Sequence, residues 1–222
     1  ALSQYPLWKE ARTYIDQTPL KASIDSVGYR IVRNFRLAVR TNVFKELQAN
    51  LEKLDDEISL KSIRSQLETP LWELITQQPE NFLWLSDKSW AELIAQSLNQ
   101  TLTDMTQEQA LSQATWGQQN TSSIQHPLSK AVPFIGRWLD MPNTPLPGDS
   151  NTPRVQGKAF GASERMIVSP GHEETGIFHM PTSQAGHPWS PYYGMGHSDW
   201  EEGKPSPFLP GETAYTLNLI SY

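Results

Sequence analysis

The longest regular pattern of apolar positions in this chain predicts an amphipathic helix that starts near Asp25. Apolar residues recur every four positions along it, at Val27, Ile31, Phe35, Val39, Val43, Leu47 and Leu51. Because four residues over-rotate an α-helix by about 40° per step, such a stripe winds around the helix axis. We therefore expect Asp25 to cap the helix, and the helix to be bent, broken near Asn42 or covered on several sides.

Start signals predict three further helices in the same half of the chain. Thr69 precedes a proline, which is the pattern of an N-cap followed by proline at the first helical position. Ser86 is the predicted cap of the next helix. Thr106 and Gln109 have the spacing of a capping box ahead of a short helix that Gly117 ends.

The second half of the chain has shorter patterns that are typical of strands. Residues 165–168 and 176–180 are strand-like and are separated by the Ser-Pro-Gly turn signal at 169–171. Residues 214–220 alternate, with Tyr215, Leu217 and Leu219 on one face, and predict another strand. The intervening segment is too rich in proline, glycine and aromatic residues to be regular. We expect it to be an ordered excursion held to a surface by Trp189, Tyr192, Tyr193, Trp200 and Phe208.

Composition changes near residue 110 and predicts two regions. Of the 13 glycines, 12 follow that point, and of the 17 prolines, 13 follow it. Residues 1–110 are therefore predicted to be a helical segment, and residues 111–222 a Pro/Gly-rich segment of strands and loops. Together they indicate an α+β chain with a helical N-terminal half and a β- and loop-rich C-terminal half.

Charge and composition exclude several classes of function. The formal net charge of −6 argues against a general nucleic-acid or acidic-membrane surface. The chain has no cysteine, so disulfides, thiolate metal ligands and cysteine nucleophiles are excluded. We expect no membrane span, because no apolar run is long enough, and no signal peptide in the segment that begins ALSQYP.

Histidines and glutamates near residue 172 supply metal-ligand types without a recognisable metal spacing. His172, Glu173 and Glu174 are followed by His179 and His187, but HEETG is not the helical H-E-x-x-H arrangement of zinc enzymes. Structural histidines are the favoured interpretation, and a metal site is the weaker alternative.

Serine chemistry is equally weakly indicated. Ser163 and Ser198 are the nearest candidates for a nucleophile, and His197 adjoins the second of them. Neighbouring residues of an extended chain point to opposite faces, so we do not expect His197 and Ser198 to engage each other. No glycine-rich phosphate-binding motif is present.

Two further features allow a ligand without specifying one. Arg30, Arg33, Arg36 and Arg40 form a row that could bind a phosphate or carboxylate. Such a row is more often a solvated face or a set of partners for nearby carboxylates. The clustered tryptophans and tyrosines after residue 187 could stack on sugars or acyl groups, although such residues more often serve as core.

The second half contains three specific motifs, PLPGDSNTPRV (145–155), GASERMIVSPGHE (161–173) and GIFHMPTSQAGHPWSPYY (176–193), and SVGYRIVRNFR, TWGQQN and HPLS lie upstream of them. In this order the motifs resemble the C-terminal end of the penicillin acylase (penicillin amidase) family, with weaker support from the three upstream segments. One departure is TSQAG at 182–186, where the family has a more glycine-rich stretch. The resemblance covers nearly the whole chain and is most specific over residues 134–220.

The resemblance implies an N-terminal-nucleophile hydrolase with an αββα sandwich, of which residues 111–222 would complete the sheets. In such enzymes self-cleavage frees a serine whose own α-amino group acts as base. Here the first residue is Ala1, and Ser3 is not terminal. The family's nucleophile, oxyanion asparagine, active-site arginine and calcium ligands match no position of this sequence. We therefore expect no catalytic, cofactor-binding or metal-binding residue within the chain.

The leading hypothesis is a C-terminal fragment of the large subunit of an amidohydrolase that cleaves an acyl amide. The substrate would be a β-lactam side chain, an acyl-homoserine lactone or a related N-acyl compound, and the fragment alone would be inactive. Its partners would be the rest of the large subunit and the small subunit, with no nucleic acid or membrane involved. The resemblance also implies a periplasmic location. Two alternatives are an autonomous binding module that uses the aromatic loop 187–208, and a separate enzyme built on His172, Glu173, His187 and His197.

Overall fold

The computed structural model describes residues 5–19, 21–55, 57, 59–60, 62–82, 89–157, 160–161 and 165–220. It is a mixed structure of helices and small antiparallel sheets, compatible with the α+β class that the sequence predicts. The chain forms two compact units that divide between Trp116 and Gly117. We call them the helical unit and the loop-rich unit.

In its described residues, the helical unit is built on four α-helices and short 3₁₀ turns. The α-helices are α1 (Pro6–Gln17), α2 (Val27–Leu54), α3 (Glu68–Gln77) and α4 (Trp90–Thr106). The 3₁₀ turns are Arg64–Leu67 and Leu111–Gln113. α5 (Trp116–Gln119) lies at the division of the two units.

The long helix α2 is continuous through Asn42 and begins one residue later than predicted. Ser26, not Asp25, is its N-cap, and the Ser26 hydroxyl accepts the Tyr29 N–H at 3.1 Å. Asn42 does not break the helix, which runs unbroken from Val27 to Leu54. The Asn42 side chain donates to the Ser97 hydroxyl on α4 at 2.9 Å.

The winding apolar stripe of α2 packs into two separate clusters. Near its start it contributes Val27 and Ile31 to a cluster with residues of α1 and α4. Farther along it contributes Val39 and Val43 to a second cluster that contains Trp90. The helix is therefore covered on more than one side, as one of the expected alternatives holds.

α1 and α2 approach each other closely at Gly28. A Cβ atom placed on Gly28 would lie 1.9 Å from the Thr18 hydroxyl oxygen and 2.3 Å from the Tyr14 carbonyl oxygen. Both distances are far below a van der Waals contact. Only glycine fits this crossing without a shift of the backbone of α1.

The other predicted helix starts are wrong in detail. α3 begins at Glu68 as a continuation of the preceding 3₁₀ turn, so Thr69 is not its cap. Ser86 lies outside the described residues, and the cap of α4 is Ser89, which forms a capping box with Glu92. The capping-box reading of Thr106 fails because α4 extends to that residue, whose hydroxyl bonds back to the Leu102 carbonyl.

Gly117 does not end a helix as predicted. It lies inside α5, and the segment that was expected to be its helix forms the 3₁₀ turn Leu111–Gln113 instead. A helix ends where its backbone groups find other hydrogen-bond partners, and the spacing of residues in the sequence does not show where those partners are.

The described residues of the loop-rich unit contain three short helices and four short strands. The helices are α6 (Pro127–Ala131), α7 (Gly136–Leu139) and α8 (His197–Glu202). The strands are β1 (Gln156–Gly157), β2 (Phe160–Gly161), β3 (Arg165–Ile167) and β4 (Ile177–His179). Two 3₁₀ turns, Pro133–Ile135 and Glu173–Thr175, complete it.

The strands pair as two small antiparallel sheets. β1 pairs with β2, and β3 pairs with β4 in the register Arg165 to His179 and Ile167 to Ile177. This hairpin confirms the strands predicted on either side of the turn at 169–171. On its other side β4 is lined by residues 206–208, with Ile177 opposite Pro207.

The strand predicted at 214–220 does not form. No strand is assigned over 212–220, and every residue from 209 to 220 is exposed. Among the described residues, residues 209–220 make no backbone hydrogen bond to another segment. Alternation makes a strand only where a partner supplies the hydrogen bonds.

Within the described part of the chain, no helix combines the length and the apolar character needed to cross a bilayer.

Candidate functional site

The histidines and glutamates of the HEETG region do not converge on one site in the structure. His172 lies 3.8 Å from Glu174, and both side chains are exposed. The His179 ring is buried against a backbone carbonyl, and the exposed His187 accepts an N–H from its own turn. Among the described residues, no group of three or more histidine, aspartate or glutamate side chains is placed to hold a metal ion.

Glu173 stabilises the turn that joins β3 to β4. Its Oε1 accepts the Gly171 N–H at 2.9 Å, in a turn where Gly171 has a φ of +80°. This hydrogen bond is the main reason why the pKa of the Glu173 carboxyl lies below its ordinary value. The residue therefore has a local structural role.

His197 and Ser198 do not form a catalytic pair. His197 is buried in α8, where its Nδ1 donates to the Pro181 carbonyl at 2.6 Å, whereas Ser198 is exposed. The other ring nitrogen, Nε2, lies 3.0 Å from the Glu201 carboxylate, within ion-pair distance but without hydrogen-bond geometry. The ring also stacks on Trp200 at 5.9 Å between centroids. The second serine candidate, Ser163, lies outside the described residues.

Two arginines hold the C-terminal end of α8. Arg165 donates to the Trp200 carbonyl at 2.6 Å and its guanidinium lies 5.1 Å from the centre of the Trp200 ring. Arg154 donates to the next carbonyl, that of Glu201. Cations at this position satisfy carbonyls that have no partner within the helix and complement its dipole.

Burial makes the charged form of both guanidinium groups less favourable. It lowers the pKa of Arg165 to about 10, with a smaller contribution from Arg154, and it lowers the pKa of Arg154 as well. Both guanidinium groups remain charged at neutral pH. Both arginines donate to backbone carbonyls of α8, so their roles are structural.

Asn120 and Gln156 form the polar centre of the loop-rich unit. The Asn120 amide nitrogen donates to the carbonyls of Leu146, Gly148 and Gln156 at 3.0–3.1 Å. The Gln156 side chain in turn accepts from Arg154 at 2.8 Å. Both amides are buried, so this unit is organised by bonds from side chains to backbone.

The aromatic loop 187–208 is only partly held to the unit. Trp200 is 1% exposed and belongs to the core, and the Tyr193 hydroxyl donates to the Leu139 carbonyl at 2.5 Å. Burial, and to a lesser degree Asp140, raises the pKa of Tyr193. Trp189, however, is 90% exposed. The prediction that all five aromatic residues hold the loop is therefore wrong for Trp189 and for Tyr192, which is also exposed.

A cavity of about 200 Å³ lies where the HPLS segment meets the TSQAG turn. It is lined by Ile124, Gln125, His126, Leu139, Met141, Thr182, Ser183, Ala185, Gly186 and Tyr193. Its hydroxyl groups are already engaged, since Ser183 donates to the Tyr192 carbonyl and Tyr193 to a carbonyl of α7. His126 accepts the Leu128 N–H as the cap of α6. None of these groups is placed as a nucleophile and base.

The arginine row of α2 divides into two pairs. Arg30 donates to the Thr115 carbonyl at 3.2 Å, and Arg33 lies over the Trp116 ring. Arg36 and Arg40 donate to the two oxygens of Glu68 on α3, at 2.8 and 2.9 Å. Pairing with a nearby carboxylate, one of the two favoured interpretations, is confirmed for Arg36 and Arg40. Burial lowers the pKa of Arg30.

Sequence reasoning missed the residues that organise these contacts. Asn120 and Glu68 carried no local signal, because their partners lie far away in the chain, at separations of 26 to 36 for Asn120 and of 28 and 32 for Glu68. Gln156 bonds to Arg154 two positions away, but its backbone carbonyl meets Asn120 at a separation of 36. The one available hint was that Glu68 carries a charge opposite to the arginine row.

The two units, with a short β3–β4 hairpin and a buried polar centre, contain no assembled reactive group among the described residues. Comparison with known proteins gives the class: the chain belongs to the penicillin amidase family, whose sequence model matches residues 11–215. It is similar to the penicillin acylase 2 proenzyme of Pseudomonas sp. (strain SE83), with 25% identity over 129 residues. That match covers 54% of this chain and 16% of the proenzyme, so the chain corresponds to a small share of that relative's length.

Proposed function

We propose that this chain is the C-terminal part of the large subunit of a penicillin-acylase-like amidohydrolase, which hydrolyses an acyl amide bond. The observation that carries the proposal is the family match over residues 11–215, which includes both units. The similarity to a penicillin acylase proenzyme supports the same class. The proposed substrates are β-lactam side chains, acyl-homoserine lactones and related N-acyl compounds.

In this proposal the chain contributes structure and the reactive groups lie elsewhere in the enzyme. The N-terminal serine, the oxyanion asparagine and the calcium ligands of the family would belong to the remainder of the protein. Such a serine attacks the amide carbonyl after its own amino group removes the hydroxyl proton, and fixed donors stabilise the oxyanion. The placement of His197 against Pro181 and of Ser198 in solvent is consistent with a supporting role.

Exposed apolar segments of the loop-rich unit support a partner. Tyr215, Leu217 and Leu219 are each more than 80% exposed, on a segment with the alternation of a strand. Met166 and Ile167 on β3 are also exposed. Contiguous apolar exposure of this kind marks surfaces that are covered in an assembly. The proposed cover is the rest of the acylase, with residues 111–222 completing the sheets of an αββα sandwich, in the periplasm.

An amidase assay tests the proposal. The purified chain should not hydrolyse a chromogenic phenylacetyl or fatty-acyl amide. Co-expression with the upstream portion of the same protein should restore turnover that depends on an N-terminal serine there. Turnover by the chain alone, abolished by His187→Ala or His197→Ala, would contradict the proposal and favour a separate enzyme.

A second candidate function is binding through the aromatic loop 187–208. The nearly full exposure of Trp189, with Tyr192 and Met195 also exposed, favours it. Titration with sugars and short peptides, followed by tryptophan fluorescence, tests it. Saturable binding that is lost in Trp189→Ala but kept in Trp138→Ala, which removes an exposed tryptophan outside the loop, would favour the binding module.

A further inference from the structure

A cavity of the helical unit lies between α2, α3 and α4 and has a volume of about 430 Å³. It is lined by Val32, Phe35, Arg36, Val39, Glu68, Leu71, Trp72, Ile75, Thr76 and Ile94. Most of these side chains are apolar, and Trp72, which is 69% exposed, stands at its rim. Volumes of this size and walls of this kind are typical of small-molecule sites.

The polar end of the cavity carries excess positive charge. Arg36 and Arg40 both donate to Glu68, so two guanidinium groups share one carboxylate and the cluster has a net charge of 2 − 1 = +1. All three side chains are partly exposed, so a solute can reach them. Each guanidinium has five N–H groups and therefore retains donors beyond the one that Glu68 accepts.

We propose that this cavity binds an amphipathic monocarboxylate, with its apolar chain between α2, α3 and α4 and its carboxylate on Arg36. A monoanion matches the single excess positive charge, and the planar guanidinium matches a carboxylate. A dianionic phosphate would instead bring surplus negative charge next to Glu68. The site cleaves no bond, so the proposal is independent of the amidohydrolase function.

Calorimetric titration of the chain with octanoate and decanoate, below their micelle concentrations, tests the proposal. Burial of each methylene group should raise the affinity about fourfold, so decanoate should bind about 15-fold more tightly than octanoate. Decanoate should also bind at least about tenfold more tightly than decanol, which lacks the carboxylate. Equal affinities for decanoate and decanol would overturn the proposed carboxylate contact.

Variants separate the two halves of the site. Arg36→Gln should weaken decanoate about tenfold and leave decanol unchanged, because Arg40 still holds Glu68. Arg12→Gln is the matched control, since Arg12 forms an exposed pair with Asp16 on α1. Thr76→Trp at the rim should weaken both ligands by occupying the cavity. Unchanged decanoate binding in Thr76→Trp, or equal losses in Arg36→Gln and Arg12→Gln, would overturn the site.

A measurement on the unaltered chain guards against variants that fail to fold. Decanoate should shift the indole resonance of Trp72 in nuclear magnetic resonance spectra and leave that of Trp138, in the loop-rich unit, in place. Shifts of equal size at both indoles would mean non-specific association and would contradict the proposal.

Discussion

Replacement of Gly28 by alanine tests whether the close approach of α1 and α2 leaves no room for a side chain at this position. In a helix without neighbours this change stabilises by about 1 kcal/mol. Here the new methyl group would lie 2.3 Å from the Tyr14 carbonyl, which is backbone and cannot rotate away. Overpacking of this kind costs about 1–3 kcal/mol, and a backbone obstacle places the cost at the upper end. We expect a net loss of about 2 kcal/mol.

Urea unfolding followed by far-ultraviolet circular dichroism measures this loss, and thermal unfolding should show a midpoint lower by roughly 8 °C. Gly186→Ala is the control, because no atom lies within 4 Å of a Cβ placed there. Adding Thr18→Ala to Gly28→Ala should recover little stability, since the Tyr14 carbonyl remains. A stabilised Gly28→Ala chain would refute the close approach and show that helix propensity dominates.

Three further predictions concern other contacts. Asn120→Ala should lower the free energy of unfolding in urea by about 3 kcal/mol, because three buried carbonyls lose their donor. Asn120→Asp should lower it more, whereas Asn143→Ala, at an exposed position, should leave it unchanged. Ser89→Ala should lower the free energy of unfolding by about 1 kcal/mol, because the capping box of α4 is lost. Thr103→Ala, at an exposed position of the same helix, should cause no loss, and equal effects of the two variants would contradict the capping role of Ser89. The chemical shift of the Gly171 amide should change with pH, with a midpoint below the ordinary glutamate pKa. The hydrogen bond to the Glu173 carboxylate is present at higher pH and is lost as the pH falls through the lowered pKa of Glu173. If the same pH dependence persists in Glu173→Gln, the assignment to Glu173 is wrong.

The sequence predicts element type better than element limits. The long apolar repeat of α2 and the hairpin around residues 169–171 are both present, since each depends on contacts close in the chain. Helix starts at Asp25 and Thr69 are wrong, because competing caps or a preceding 3₁₀ turn decide them. The strand at 214–220 is wrong for a different reason: its pattern is present, but no described segment supplies a partner.

The contacts around α8 could not be predicted from the sequence. Arg154 and Arg165 reach carbonyls 47 and 35 positions away, and nothing near either residue indicates those distances. The prediction that His197 and Ser198 do not engage each other is confirmed, but its premise of an extended chain is wrong, because both residues lie in α8. Family motifs indicated the class of protein, while the physical roles of their residues required the coordinates.

The anchoring of α8 sets a limit on proteolytic trimming. Cleavage after Phe208 would remove residues without a described backbone hydrogen bond and keep the bond from the Phe208 N–H to the Gly176 carbonyl. Cleavage before His197 would remove the α8 carbonyls to which Arg154 and Arg165 donate and leave two partly buried cations with fewer acceptors. A protease-resistant core of the loop-rich unit should therefore extend to Phe208 and tolerate loss of everything beyond it.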